Sequence, residues 1–252
     1  MGALFRQPFS DVIACIEASA SGARPLAALA VMPIGMALTW FVYTPVHELL
    51  HVLGCVATGG SVSELEIQPI YGARLLAEFF PFVVSGGEYA GRLSGFDTRG
   101  SDLVYLATDF TPYLLTILIG VPIMRLCAMR ARPLLFGAAV VVGLAPFYTI
   151  PGDYYEMGSI LITGAASWLI RGDAAGAYEG LRSDDVFALI GDVVARPAEL
   201  VLPGGGEAGI ALSLIGLSLA VGVLLAFLTY ALGRWVAWAV VGSGSTRKPL
   251  RR

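Results

Sequence analysis

Five consecutive residues read His47-Glu48-Leu49-Leu50-His51. In a helix, two histidines four positions apart lie on one face and can hold one zinc ion. The glutamate beside the first can then act as general base. The run ends a long apolar stretch. Ionisable groups at membrane depth are costly and mark functional sites, and one divalent cation would partner both histidines at once. The pattern points to zinc chemistry inside a bilayer, with one Zn2+ per chain and Glu48 as the catalytic group. A blander reading keeps His47 and His51 as paired polar residues without metal.

A catalytic zinc commonly takes three protein ligands and one water, and these are the only two histidines of the chain. The third donor must be a carboxylate or a thiolate. Cys55 follows on the same helical face, but three ligands strung over two turns span about 12 Å of rise. They converge on one ion with difficulty, so a packed thiol is the simpler reading. Asp153, in Ile150-Pro151-Gly152-Asp153-Tyr154-Tyr155-Glu156, is the better candidate because it falls at a break in an apolar segment. An Asp after Pro-Gly would otherwise serve as a helix N-cap. Glu156 completes a capping-box spacing and is the alternative ligand. Asp109 is either part of a helix N-cap region near the interface or an acceptor for the second ring N–H of a ligand histidine.

The elements that must position these groups follow from composition and period. The chain has 252 residues, 56% hydrophobic and 14% charged, with a mean hydropathy of +0.75. Soluble domains carry about 25% charged residues. A multi-pass integral membrane protein of the cell (inner) membrane is expected, with the lipid bilayer as a partner. A net charge of −3 argues against nucleic acid as a partner. Cys15, Cys55 and Cys127 form no C-x-x-C pair, and no disulfide is assigned.

Residues 1–24 lack a signal-peptide pattern. Phe5, Phe9, Val12, Ile13 and Ile16 recur at helical spacing, which suits an interfacial segment; a soluble lead-in is the alternative. Spanning helices need about 20 apolar residues. Candidates run over Pro25–Val56, Leu103–Ala128, Pro133–Ile170 and Gly209–Val241. The third is broken: Leu134–Ala145 and Asp153–Ile170 read as half-helices, and Pro146–Gly152 as extended or unwound chain. Non-helical backbone at that depth is tolerated only when buried in protein or lining a wet cavity.

Alternation over Val62–Ile67 predicts a strand, and a second is expected within Arg74–Val84. Leu181–Val194 reads as a helix, Pro203–Gly206 as a turn and Thr246–Arg252 as a disordered basic tail. The predicted fold is an all-α membrane protein of about four transmembrane helices, with a small β-hairpin or strand insertion after the first. It divides into an interfacial segment (1–24), a metalloprotease-like core (25–170), an extramembrane loop (171–208), and a last helix with its tail (209–252). Ten of the 16 Lys and Arg residues fall on the side shared by the termini. The positive-inside rule therefore places both termini in the cytoplasm.

Taken together these pieces resemble the site-2 protease family of intramembrane zinc metalloproteases. The matching parts are His47-Glu48-Leu49-Leu50-His51 with Gly54, then Gly59-Gly60 and the strand Val62–Ile67, then Pro151 and Asp153 in a broken third helix. They cover roughly residues 35–170. The resemblance implies that Asp153 is the third zinc ligand, that the substrate is a transmembrane protein, and that its peptide bond is hydrolysed in or beside the membrane. It also implies that the H-E-x-x-H helix ends near the cytosolic face, opposite to the charge rule. The family's Asn-Pro and Leu-Asp-Gly segments are replaced by Ile150-Pro151-Gly152-Asp153, and the chain has no asparagine, so a divergent member is expected.

On this reading water attacks the scissile carbonyl while Glu48 takes its proton and delivers one to the leaving amine. The strand Val62–Ile67 would pair with the unwound substrate by strand addition. Regulation falls to a membrane partner protein or to the Arg171–Glu207 loop. The rival from another class is a non-proteolytic zinc-binding scaffold or a transporter-like protein.

Overall fold

The computed structural model describes residues 2–22, 24–170, 178–195 and 208–241. The expected turn at Pro203–Gly206 and the basic tail lie outside these residues. In chain order the elements are α1 (Gly2–Ala20), α2 (Pro25–Ala57), β1 (Ser61–Ile67), α3 (Ala73–Phe79), β2 (Val83–Ser85) and β3 (Gly91–Asp97). They continue with α4 (Asp102–Phe110), α5 (Val121–Arg130), α6 (Pro133–Gly143), α7 (Ala145–Tyr148), α8 (Tyr155–Ile170), α9 (Val186–Ala195) and α10 (Ala208–Val241). The described residues are thus mostly helical, with one small sheet.

Among the described residues, three helical stretches are long and apolar enough to cross a membrane: Pro25–Ala57, Asp102–Arg130 and Gly209–Val240. The remaining expected crossing is divided, and its longest pieces, α6 and α8, have 11 and 16 residues. The break is more local than the expected unwound stretch. Ala145–Tyr148 forms a helical turn, and Ile150–Tyr154 a π turn whose helical dihedrals fail at Gly152 alone (φ −108°, ψ −112°). Pro151 has no N–H to give, which interrupts the ladder. The Tyr154 N–H then reaches back five residues to the Thr149 carbonyl (3.3 Å).

The insertion after α2 is a three-stranded sheet of order β2-β1-β3, with β1 parallel to β2 and antiparallel to β3. Leu65 and Ile67 are fully buried and pack with Val52 and Val83, while the alternating glutamates lie half-buried. Two sequence expectations are corrected. Arg74 belongs to α3, and only the end of its window, at Val83, enters a strand; α3 is the crossover that makes β2 parallel, so no hairpin joins β1 to β2. Moreover, β1 is the central strand, with both edges occupied over Leu65–Ile67 by β2 and β3. Over those three residues no edge is left for a substrate strand; Ser61–Glu64 pairs with β3 alone.

The helix expected over Leu181–Val194 starts later. Glu179–Leu181 is a 3-10 turn, and α9 begins only after Asp185, whose carboxylate accepts from the backbone N–H groups of Phe187 (3.0 Å) and Ala188 (2.9 Å). This is an N-cap. Arg182 and Asp184, just before it, are held instead by ion pairs described below.

The chain forms two compact units. One comprises Met1–Tyr43, Tyr113–Ala145 and Leu228–Arg252. Within it Cys15, Met32, Met124, Cys127 and Phe136 form a core, and the Cys15 thiol donates to the Met124 carbonyl at 3.1 Å. Asp11 accepts from the Tyr230 hydroxyl (2.9 Å) and from Arg234 (2.7 Å). On α1, Val12 packs inward, whereas Phe5, Phe9, Ile13 and Ile16 are exposed. Gly35 and Gly137 let the backbones of α2 and α6 touch, as small residues do between membrane helices.

The second unit comprises Thr44–Pro112 and Pro146–Phe227. It contains the sheet, the C-terminal half of α2, α4, α8 and α9, and every residue of the site described next. Its helical core gathers Tyr155, Leu181, Val186, Val193 and Ile215.

Candidate metal centre

His47 and His51 occupy successive turns of α2, and Asp153 sits on the π turn 106 residues further on. Both histidines are buried and Asp153 is half-buried. The three facing atoms form a tight triangle. His47 Nε2 lies 3.1 Å and His51 Nε2 3.5 Å from Asp153 Oδ2, and the two Nε2 atoms are 3.2 Å apart. The imidazole planes meet at 81°. A four-coordinate divalent ion with bonds of about 2.0–2.1 Å spaces its ligand atoms by about 3.3 Å along each tetrahedral edge. All three edges fall near that value, and the donors are two imidazole nitrogens and a carboxylate oxygen. His47, His51 and Asp153 therefore form a group that could hold a metal ion.

The packing that aims His51 is visible in the same unit. Its Nδ1–H donates to the Thr108 backbone carbonyl on α4 (2.9 Å), which turns the bare Nε2 toward the triangle. That bond needs α2 and α4 to lie close together. Gly54 allows it: a Cβ at this position would run into the Ala107 carbonyl and the Thr111 side chain.

Asp109, the neighbour of Thr108, fills neither role expected of it. It is the penultimate residue of α4, whose N-cap is Ser101, with Oγ accepting from the Val104 N–H at 3.4 Å. The acceptor for the histidine N–H is a main-chain carbonyl, which has no sequence signature. Glu156 is likewise outside the triangle. It lies buried in the first turn of α8 and accepts a hydrogen bond from the Tyr105 hydroxyl. Cys55 is buried, with its thiol toward the Ser61 carbonyl (3.7 Å), as a packed thiol would be.

Glu48 points into a cavity of about 530 Å³ that also reaches His51, Asp153, Asp109 and Glu156. Its side chain lies directly on the backbone of β3 at Gly91. A Cβ there would stand 2.9 Å from Glu48 Cδ and 3.2 Å from Oε1. Gly91 thus leaves the space that Glu48 occupies.

Part of the cavity wall comes from the segment after α8, at Arg182, Ser183 and Asp184. Asp184 takes Arg92 of β3 in a two-point ion pair, Nε–Oδ2 2.6 Å and Nη2–Oδ1 2.9 Å. Arg182 binds both carboxylate oxygens of Asp102 (2.7 and 3.2 Å) and the Thr163 hydroxyl (2.9 Å). Next to these, Tyr89 donates to Asp185 at 2.8 Å. The Ala188 N–H first, then this hydroxyl, hold the Asp185 carboxyl below the usual carboxylate range, and the same bond pushes the Tyr89 phenol up. The charges at 92, 182 and 184 were not legible as site residues because each lies in a polar stretch where solvation is the ordinary fate.

Comparison of the chain with protein families, with curated proteins and with solved structures finds no match.

Proposed function

We propose that the chain is an intramembrane zinc metalloprotease, a divergent member of the site-2 protease family, acting on a transmembrane protein substrate. The observation that carries this reading is the triangle of His47, His51 and Asp153, with edges of 3.1, 3.2 and 3.5 Å, beside a cavity into which Glu48 points. Its donor set, two imidazoles on α2 and one carboxylate on the π turn, suits Zn2+. When bound, zinc supplies Lewis acidity that acidifies water and polarises a carbonyl oxygen.

The chain's own residues do the rest. Glu48 accepts the proton of the attacking water and delivers one to the amide nitrogen as the C–N bond breaks, leaving a carboxylate and an amine. Thr108 fixes the ring of His51, and Gly91 gives Glu48 its room. The segment 133–170 serves as a broken crossing between the second and the last of four spans. The substrate, unwound to expose its peptide bond, adds as a strand to β3, whose outer edge pairs with no described strand.

The test is Glu48→Gln in purified protein, with zinc content and cleavage of a single-pass substrate measured together. Loss of cleavage with zinc retained is the expected result. Unchanged cleavage would remove Glu48 from the chemistry, and zinc binding without cleavage in the wild type would favour a scaffold.

A further inference from the structure

The cavity is acidic beyond the needs of hydrolysis. Five carboxylates and two guanidinium groups line it, a formal charge of −3, which a divalent ion on the triangle would reduce to −1. Both guanidinium groups are already engaged, Arg92 with Asp184 and Arg182 with Asp102. Glu48 and Asp153 have roles in the proposed chemistry. Asp109 and Glu156 have none.

Those two carboxyl groups are poorly satisfied. Asp109 is only 3% exposed, and its Oδ2 is buried with no hydrogen-bond partner among the described residues. Glu156, 8% exposed, receives only the Tyr105 hydroxyl and no described cation. A buried polar oxygen without a donor is costly, and a buried carboxylate without a counter-charge more so. Such a group takes up a proton, or stays a carboxylate where a ligand completes it. Asp109 and Glu156 line the same cavity as the metal centre, so a donor carried by an occupant of that cavity would complete them.

We infer that Asp109 and Glu156 form a subsite for a cationic side chain, lysine or arginine, carried by the substrate beside the scissile bond. Asp109 is its anionic floor and Glu156, held by Tyr105, its side wall. The subsite selects a substrate class: membrane-inserted segments that carry one basic residue near an unwound turn. Such a residue is itself costly in the bilayer, and entering the cavity gives it the counter-charge that lipid cannot. This inference rests on the protease reading for the identity of the ligand, but its binding step does not require cleavage.

The experiment uses the full chain carrying Glu48→Gln, loaded with zinc in detergent micelles. The probe is a fluorescein-labelled Leu/Ala peptide with a central Gly-Ser break and one lysine moved through the positions on either side. Norleucine, which keeps the chain length without the charge, replaces lysine in the control series. Lysine at one or two adjacent positions is expected to tighten binding by about tenfold or more over norleucine, and a further Asp109→Asn change to remove that difference. Lysine and norleucine binding alike at every position overturns the inference, as does a lysine preference that survives Asp109→Asn. The peptide series needs no change at position 109, so the absence of a lysine preference overturns the inference even if that variant folds badly. Cleavage by the protein with Glu48 intact is read separately: Lys-selective binding without cleavage sinks the protease and keeps the subsite, and cleavage without Lys selectivity does the reverse.

Discussion

Gly91→Ala tests whether the backbone of β3 sets the position of Glu48. The backbone at Gly91 has no positive φ, so alanine itself is tolerated. The added methyl would lie 2.9 Å from Glu48 Cδ and 3.2 Å from Oε1, and closer still to Cγ. Carbon atoms pack at about 3.5–4.0 Å, and Cγ is the nearest atom, so the glutamate must retreat by about 1 Å or more. A displacement of about 1 Å at a reacting group can cost on the order of 10²-fold in rate. We expect kcat to fall by about 10–100-fold, a barrier increase of about 1.4–2.7 kcal/mol. The proposed ligand atoms lie on α2 and the π turn, so zinc content should stay unchanged. The assay pairs metal analysis of the purified variant with initial rates on a single-pass substrate. Wild-type kcat with full zinc would refute the reasoning, since it would mean that Glu48 either moves freely or does not act; loss of zinc would show that β3 bears on the ligands instead.

Asp153→Ala should weaken zinc by more than about 100-fold, whereas Glu156→Ala should keep full stoichiometry; the opposite pattern in metal analysis would transfer the third ligand to Glu156. Gly54→Val drives a side chain into Ala107 and Thr111, and overpacking of this kind costs about 1–3 kcal/mol. A lowered thermal midpoint with faster metal loss should follow, and an unchanged midpoint would mean that α2 and α4 do not need this contact. Asp185→Ala removes the cap of α9, worth about 1 kcal/mol. Because the Asp185 carboxyl is held low in the folded chain, its contribution is present above the ordinary Asp value of about 3.9 and fades as pH falls through the lower folded value. Hydrogen exchange in α9 should therefore separate wild type from Asp185→Ala at pH 7 and converge at strongly acidic pH, and a difference that persists there would assign the effect to something other than the carboxylate.

Several elements were readable in advance because their signals are local. Pro25–Ala57 and Gly209–Val240 announce themselves by apolar length, and Val62–Ile67 by alternation that the sheet uses, with Leu65 and Ile67 inward. The break near Pro151 follows from a missing N–H. What escaped depends on partners far along the chain. The region Arg74–Val84 alternates too little to separate a helix from a strand, and only packing on β1 makes Val83–Ser85 a strand. β3 has two glycines and mixed polarity, so nothing local marks it, yet it forms the wall against Glu48. Asp109 looked like a cap because it stands near the start of an apolar run; Ser101, eight residues earlier, takes that place.

By itself the sequence determined that the chain is strongly apolar, that His47 and His51 share one helical face, and that Asp153 stands at a break in an apolar segment. These follow from residue type and from the 3.6-residue period, which need no knowledge of where the chain returns. Only the tertiary structure decided that Asp153 reaches the histidines across 106 residues, that a main-chain carbonyl at Thr108 braces His51, and that Asp109 Oδ2 is left without a donor among the described residues. Each of those depends on how closely two helices approach. The approach is set by a glycine such as Gly54 meeting another backbone, a steric fit that neither residue records alone.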